Sequence, residues 1–180
     1  MRLFGWKVTT ETMDFPKKYI VVVMPHTSNW DFPKGLLARK AIGQDIKFIA
    51  KDSLFKGPMG FIMRALGGYP VNRSKHNNFV DAVIDIFNTK EEFKITITPE
   101  GTRKRVEKLK TGFYYIAKGA NVPLILCKFD YGNKEIHFST PHHVADTVEE
   151  EVAFIGRYFG GVKGKYPALG YMYDDRQNEK

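Results

Sequence analysis

The amino-acid sequence predicts an α/β fold, a single domain spanning 1–180 in which a largely parallel mixed sheet is flanked by helices. Three observations lead there. Segments that read as strands alternate with segments that read as helices along the chain, the order that builds βα units. The strand-like stretches Tyr19 to Met24 and Val122 to Cys127 are continuous apolar runs, as strands covered on both faces are. There is no internal repeat and no linker, and 180 residues suffice to bury a core without staples.

Each element has its own signal. Tyr19 to Met24 is rich in β-branched residues and ends at Pro25. Asp31-Phe32-Pro33 opens a helix, with Asp31 near the cap and Pro33 in the first turn, and Leu36, Leu37 and Ile42 follow on it. Ile46 to Ala50 is a second strand. Asp52 to Leu66 reads as two short helical pieces broken at Gly57-Pro58, after which Gly67-Gly68 leads into a short strand, Tyr69-Pro70-Val71. Phe79, Val80, Val83, Ile84 and Phe87 recur at helical spacing and predict an amphipathic helix over His76 to Asn88. Phe93 to Thr98 alternates as a strand does, and a charged loop runs from Pro99 to Lys108. Thr111 to Ala120 is helical, Pro123 to Phe129 and Ile136 to Ser139 are strands, and Thr147 to Tyr158 closes the fold as a helix. Glu149, Glu150 and Glu151 stand in its first turn, the favourable end for negative charge. The last residues, 174–180, are all polar or charged and read as a flexible tail.

Composition narrows the partners. With 43% hydrophobic and 27% charged residues the chain is globular rather than disordered. Net charge is +8, which suits an anionic partner: nucleic acid, an anionic membrane face or a phosphorylated small molecule. The basic residues are spread along the chain and no recognition motif accompanies them, which disfavours a basic nucleic-acid-binding module. A single cysteine, Cys127, can form no internal disulfide and points to the cytoplasm; it lies in an apolar strand, where it packs rather than reacts. Residues 1–7 contain no signal-like apolar run, and no apolar run approaches the roughly 20 residues of a membrane-spanning helix. His142-His143 and Asp146 have no metal-ligand spacing, so no metal is expected.

His26 directly follows the first long strand and Asp31 opens the next helix, which places both at the carboxyl edge of the sheet, where α/β folds bind ligands. An imidazole held by a carboxylate is a general base, the carboxylate setting the tautomer and stabilising the imidazolium. The spacing alone is weak evidence, because His76 and Asp81 repeat it at the start of the amphipathic helix. Company along the chain separates the two. Pro99-Glu100-Gly101-Thr102-Arg103 follows a strand as His26 does; its glycine lets backbone N–H groups approach an anion, and Thr102 and Arg103 add donors. Arg73 ends a third strand in the same manner.

In order and spacing these blocks resemble the glycerolipid acyltransferases, the family typified by 1-acylglycerol-3-phosphate acyltransferase. His26 to Asp31 resembles the first motif of that family, Leu66 to Arg73 the second, Ile97 to Arg103 the third and Val122 to Leu126 the fourth. Leu54-Phe55-Lys56-Gly57-Pro58 and Lys110-Thr111-Gly112-Phe113 are similar as well, so the resemblance spans about 18–130. It implies a glycerol-phosphate acyltransferase-like fold and direct acyl transfer from a thioester, acyl-CoA or acyl carrier protein as co-substrate, with no other cofactor. The implied acceptor is a lysophospholipid, 1-acylglycerol-3-phosphate above all, and the implied product phosphatidic acid, in phospholipid biosynthesis. His26 would be the base, Asp31 its orienting partner, and Arg73, Glu100, Gly101, Thr102 and Arg103 would hold the acceptor. The sequence departs from the family at Tyr69-Pro70-Val71-Asn72 and at Lys104-Arg105, positions around the acceptor head group, which keeps a lyso-ornithine lipid or another lysophospholipid as the alternative acceptor.

A lipid substrate met without a spanning helix implies a cytoplasmic protein docked peripherally on the inner face of the membrane. Two segments mix apolar and basic residues for that purpose: Leu3, Phe4 and Trp6 beside Arg2 and Lys7, and Lys51 to Arg64.

Overall fold

The computed structural model describes residues 2–3, 5–71 and 79–173. Among them the chain runs β1 (Arg2–Leu3), β2 (Trp6–Thr10), β3 (Lys18–Met24), α1 (Asp31–Ala41), β4 (Lys47–Lys51), a 3₁₀ turn (Asp52–Phe55), α2 (Gly57–Ala65), β5 (Gly68–Val71), α3 (Phe79–Thr89), β6 (Phe93–Ile97), α4 (Gly112–Ala120), β7 (Leu124–Asp130), β8 (Glu135–Phe138) and α5 (Val148–Tyr158). The strands form one sheet in the order β1-β2-β8-β7-β3-β6-β4-β5. It is parallel throughout except for β1 with β2 and β7 with β8. The expected α/β architecture is the observed one.

Strand β3 lies between β7 and β6, and its side chains from Tyr19 to Met24 are all buried. Each such side chain contributes about 1.5–3 kcal/mol when removed from water, so β3 is the natural centre of the core. Period-two alternation divides it between two clusters. Ile20, Val22 and Met24 pack with Phe87 of α3, Phe113 of α4 and Ile155 of α5. Tyr19, Val21 and Val23 face the opposite side, with Ala38 of α1, Ile125 and Phe129 of β7 and Phe138 of β8. One helix therefore covers the face that carries Val21 and Val23, a point that matters for the site.

The predicted elements recur with small changes at their ends, and Gly57, with φ of +62°, begins α2 where a break was expected. Strands β1 and β2 were not foreseen. Only Val8 of β2 joins the core, so Trp6–Thr10 has little hydrophobic signal; its parallel pairing to β8, with Lys7 opposite Glu135, supplies what local pattern lacks. Of the expected N-terminal membrane patch, the described side chains are those of Trp6 and Lys7. Trp6 is half-buried, edge-on to Tyr131 at 4.7 Å between ring centroids, with the Lys34 ammonium 4.3 Å above it. Arg73, His76, the first turn of the predicted 76–88 helix, Phe4 and the 174–180 tail lie outside the described residues. Among the described residues, no helix is long and apolar enough to cross a membrane.

Candidate active site

Because β3 and β6 run parallel with Val22 opposite Ile97, the chain leaves both strands at the same edge, placing the His26 turn beside the Pro99–Arg103 loop. Glu100 joins them. Its Oε2 accepts the His26 backbone N–H at 2.5 Å and its Oε1 the Tyr171 N–H at 3.2 Å. Burial raises the Glu100 carboxyl above its usual range in spite of these two bonds. At 1% exposure with both oxygens taken by backbone, Glu100 staples the dyad loop to the C-terminal segment.

Asp31 is the first residue of α1, and its carboxylate turns back on the loop before it. Oδ2 accepts from His26 Nδ1 at 2.9 Å, from Thr27 N–H at 3.0 Å and from Ser28 N–H at 2.9 Å; Oδ1 accepts from the Tyr131 hydroxyl at 2.6 Å. Burial pushes the Asp31 pKa up, but the bonds from His26, Tyr131 and Ser28 outweigh it and hold the carboxyl below its usual value. An ionised carboxylate only accepts, so the shared proton belongs to Nδ1 and Nε2 carries the free lone pair. Tyr131 remains a donor throughout, since burial and the neighbouring carboxylate push its phenol far above the usual range.

A second tie comes from the chain after α5. The Tyr166 N–H donates to Thr27 Oγ1 at 3.2 Å, and a Cβ on Gly164 would sit 2.6 Å from that same oxygen, so the segment closes tightly on the dyad loop.

A cavity of about 580 Å³ opens beside the dyad. His26, Asn29, Asp31 and Arg103 line its polar end, while Val21, Val23, Phe48, Phe129 and Phe138 line the rest. Val21 lies three residues before the end of β3, about 10 Å along the strand, so the cavity runs from the dyad down between the sheet and α1. Cys127 is part of its wall, and complete burial raises its thiol well above the ordinary range, as befits a packing residue.

The structure thus brings His26, Asp31 and Arg103 to one cavity and sets Glu100 behind them. Gly101 has φ of +62°, the left-handed region that favours glycine, and the Lys110 side chain lies across it, where an added Cβ would come within 2.6 Å of Nζ. Thr102 is exposed, its Oγ1 accepting from the Lys104 N–H at 3.3 Å. β5 is parallel to β4, and β4 to β6, so the chain leaves Val71 at this same edge. His142 pairs with Glu151 at 3.1 Å, and among the described residues no group of three His, Cys, Asp or Glu side chains could hold a metal. Sequence reasoning missed Tyr131, which is 100 positions from Asp31 and announces itself by no local motif. It also missed Lys110, which stood within a recognised block, and the 164–171 strap, whose ties are made by backbone.

A family model described as Acyltransferase matches residues 7–128. The chain belongs to the acyltransferase family. Its acyltransferase match contains the dyad and the Pro99–Arg103 loop, and ends before Tyr131. The 1-acyl-sn-glycerol-3-phosphate acyltransferase beta of Homo sapiens is 32% identical over 85 residues, 44% of this chain and 31% of that protein. The matched stretch is therefore less than a third of the human acyltransferase. Among solved structures, the 1-acyl-sn-glycerophosphate (LPA) acyltransferase PlsC from Thermotoga maritima shares the fold, with a TM-score of 0.57 at 20% identity over 86% of this chain and 69% of that one.

Proposed function

We propose that the protein moves a fatty acyl group from a thioester, acyl-CoA or acyl carrier protein, to the free hydroxyl of a lysophospholipid, with 1-acylglycerol-3-phosphate as acceptor and phosphatidic acid as product. The observation that carries this reading is a His26–Asp31 pair at the polar end of a long apolar cavity with Arg103 on its rim. The relatives named for this activity support the acceptor.

In this mechanism His26 Nε2 takes the proton of the acceptor hydroxyl while the oxygen attacks the thioester carbonyl. The tetrahedral intermediate collapses with cleavage of the C–S bond, and the leaving thiolate recovers the proton from the imidazolium. Asp31 stabilises the imidazolium and keeps Nδ1 protonated. No acyl-enzyme forms. Arg103 and Arg73 pair with the acceptor phosphate, Gly101 and Thr102 add donors, and the acyl chain lies in the cavity along β3. The chemistry draws on no metal or cofactor beyond the donor, and a lipid acceptor places the protein at the inner face of the membrane.

His26→Ala assayed beside His76→Ala tests the base. Loss of a general base lowers turnover by about 10²–10⁴-fold, so the first variant falls to near background and the second retains most activity. Retained turnover in the His26 variant defeats the mechanism. A panel of lysolipids assayed with purified protein tests the acceptor: lysophosphatidate left unacylated while another lysolipid reacts reassigns it.

A further inference from the structure

Between Asp52 and Asp81 the sequence has no acidic residue, yet carries Lys56, Arg64, Arg73 and Lys75. Helix α2 falls in this stretch, and Gly60 is its only buried residue. A Cβ on Gly60 would lie 2.0 Å from the Phe55 carbonyl oxygen, so the helix rests on the 3₁₀ turn along a line of bare backbone. That close approach leaves the rest of α2 outside. Phe61 is 77% exposed, Met59 56%, Ile62 50% and, on the turn itself, Leu54 48%. Four large apolar side chains are thus exposed within nine positions of the chain, a concentration of the kind that marks an interaction surface.

We propose that the 3₁₀ turn and α2 are an interfacial anchor, lying in the headgroup and upper acyl region of a membrane rich in anionic phospholipid. The proposal rests on the lysophospholipid reading of the site and names the element that reaches the lipid. Charge selects this occupant. Lys56 and Arg64 are exposed at the patch, and the one acidic residue of the segment is Asp52 at the start of the turn, a basic balance that suits anionic headgroups. A second copy packed on the same patch would gather the cations of both copies, Lys56 and Arg64 twice over, into one interface.

The patch is also joined to the site. Arg39, which lines the cavity, donates to the Ile46 carbonyl at 2.6 Å and to the Leu66 carbonyl, just past α2, at 3.0 Å. The helix that presents Asp31 is thereby pinned to the end of the proposed anchor.

Co-sedimentation of the full chain with phosphatidylcholine vesicles, with and without phosphatidylglycerol, tests the anchor. The wild type binds the anionic vesicles more tightly. The Phe61→Ser/Ile62→Ser double variant binds them about tenfold more weakly or worse, with its thermal melt checking that it folds. Lys56→Glu is the second variant, expected to reduce binding to anionic vesicles and leave binding to neutral ones unchanged. Undiminished vesicle binding by both variants overturns the anchor, as does a wild-type dimer in water that the double variant dissolves. Acyl transfer to a short-chain, water-soluble lysophosphatidate, measured without vesicles, separates the two readings. Transfer that survives when vesicle binding ignores α2 removes the anchor alone, and vesicle binding through α2 without any transfer removes the acceptor reading alone.

Discussion

Four donors converge on the Asp31 carboxylate, and only one of them is the imidazole it serves. A buried carboxylate with so many partners is fixed in place and held ionised. Tyr131 is the most informative of the four, because Tyr131→Phe deletes one hydrogen bond with almost no change of volume. Losing that donor leaves Oδ1 without its hydrogen bond and frees the carboxylate to turn away from the imidazole. The variant loses about tenfold in kcat/KM, measured beside the wild type with its thermal melt checking the fold. Unchanged kcat/KM in Tyr131→Phe removes Tyr131 from the support of the pair. His26 and Asp31 were legible in the chain because spacing, a strand end and companion motifs coincide there. Tyr131 was not, since its approach to Asp31 depends on β7 lying next to β3.

Helix α1 does two things at once: its first residue orients the His26 imidazole, and its body roofs the cavity. Gly35 and Leu36 line that roof. A Cβ on Gly35 would meet only the Phe129 ring at 3.6 Å, ordinary contact, so the glycine is there for the space it leaves. Glycine inside a helix costs up to about 1 kcal/mol against alanine. Gly35→Ala therefore melts no lower than wild type, whereas Gly35→Leu projects a side chain into the cavity. With a series of acyl donors, Gly35→Leu shifts preference toward shorter chains while the dyad stays intact. Unchanged chain-length preference in that variant dissociates the cavity from the acyl chain. At this scale the amphipathic and continuous apolar segments were readable, and β2 was not, because a strand with one core residue takes its identity from its neighbour.

For the whole molecule, the two buried carboxylates tilt the dependence of stability on pH in opposite senses. Asp31 has a depressed folded pKa, so its contribution is present above the unfolded value of 3.8 and is lost as pH falls through the folded one. Glu100 has a raised folded pKa, so its contribution is present below 4.5 and is lost as pH rises through the folded value. Thermal unfolding followed by circular dichroism from pH 3 to 7 should show both. Asp31→Asn is destabilised at neutral pH by about 1.5–3 kcal/mol, and its melting temperature falls less than that of the wild type on going to acid. Glu100→Gln melts lower throughout, because its amide sets an NH₂ against a backbone N–H, yet it no longer loses stability as pH rises above 4.5. A wild-type acid limb reproduced by Asp31→Asn contradicts the assignment.

Local chemistry in the sequence determined the α/β class, the position of His26 after a buried strand, and the cationic loop from Pro99 to Arg103, since hydrophobic periodicity and strand-end motifs are properties of neighbouring residues. Tertiary structure alone decided the rest. It turned Glu100 inward as a staple, supplied Tyr131 from the far end of β7, and packed Trp6 into the fold. By resting Gly60 on Phe55 it also left Phe61 and Ile62 facing outward. Those outcomes turn on which strands adjoin and how closely backbones approach, quantities set by packing between residues distant in the chain.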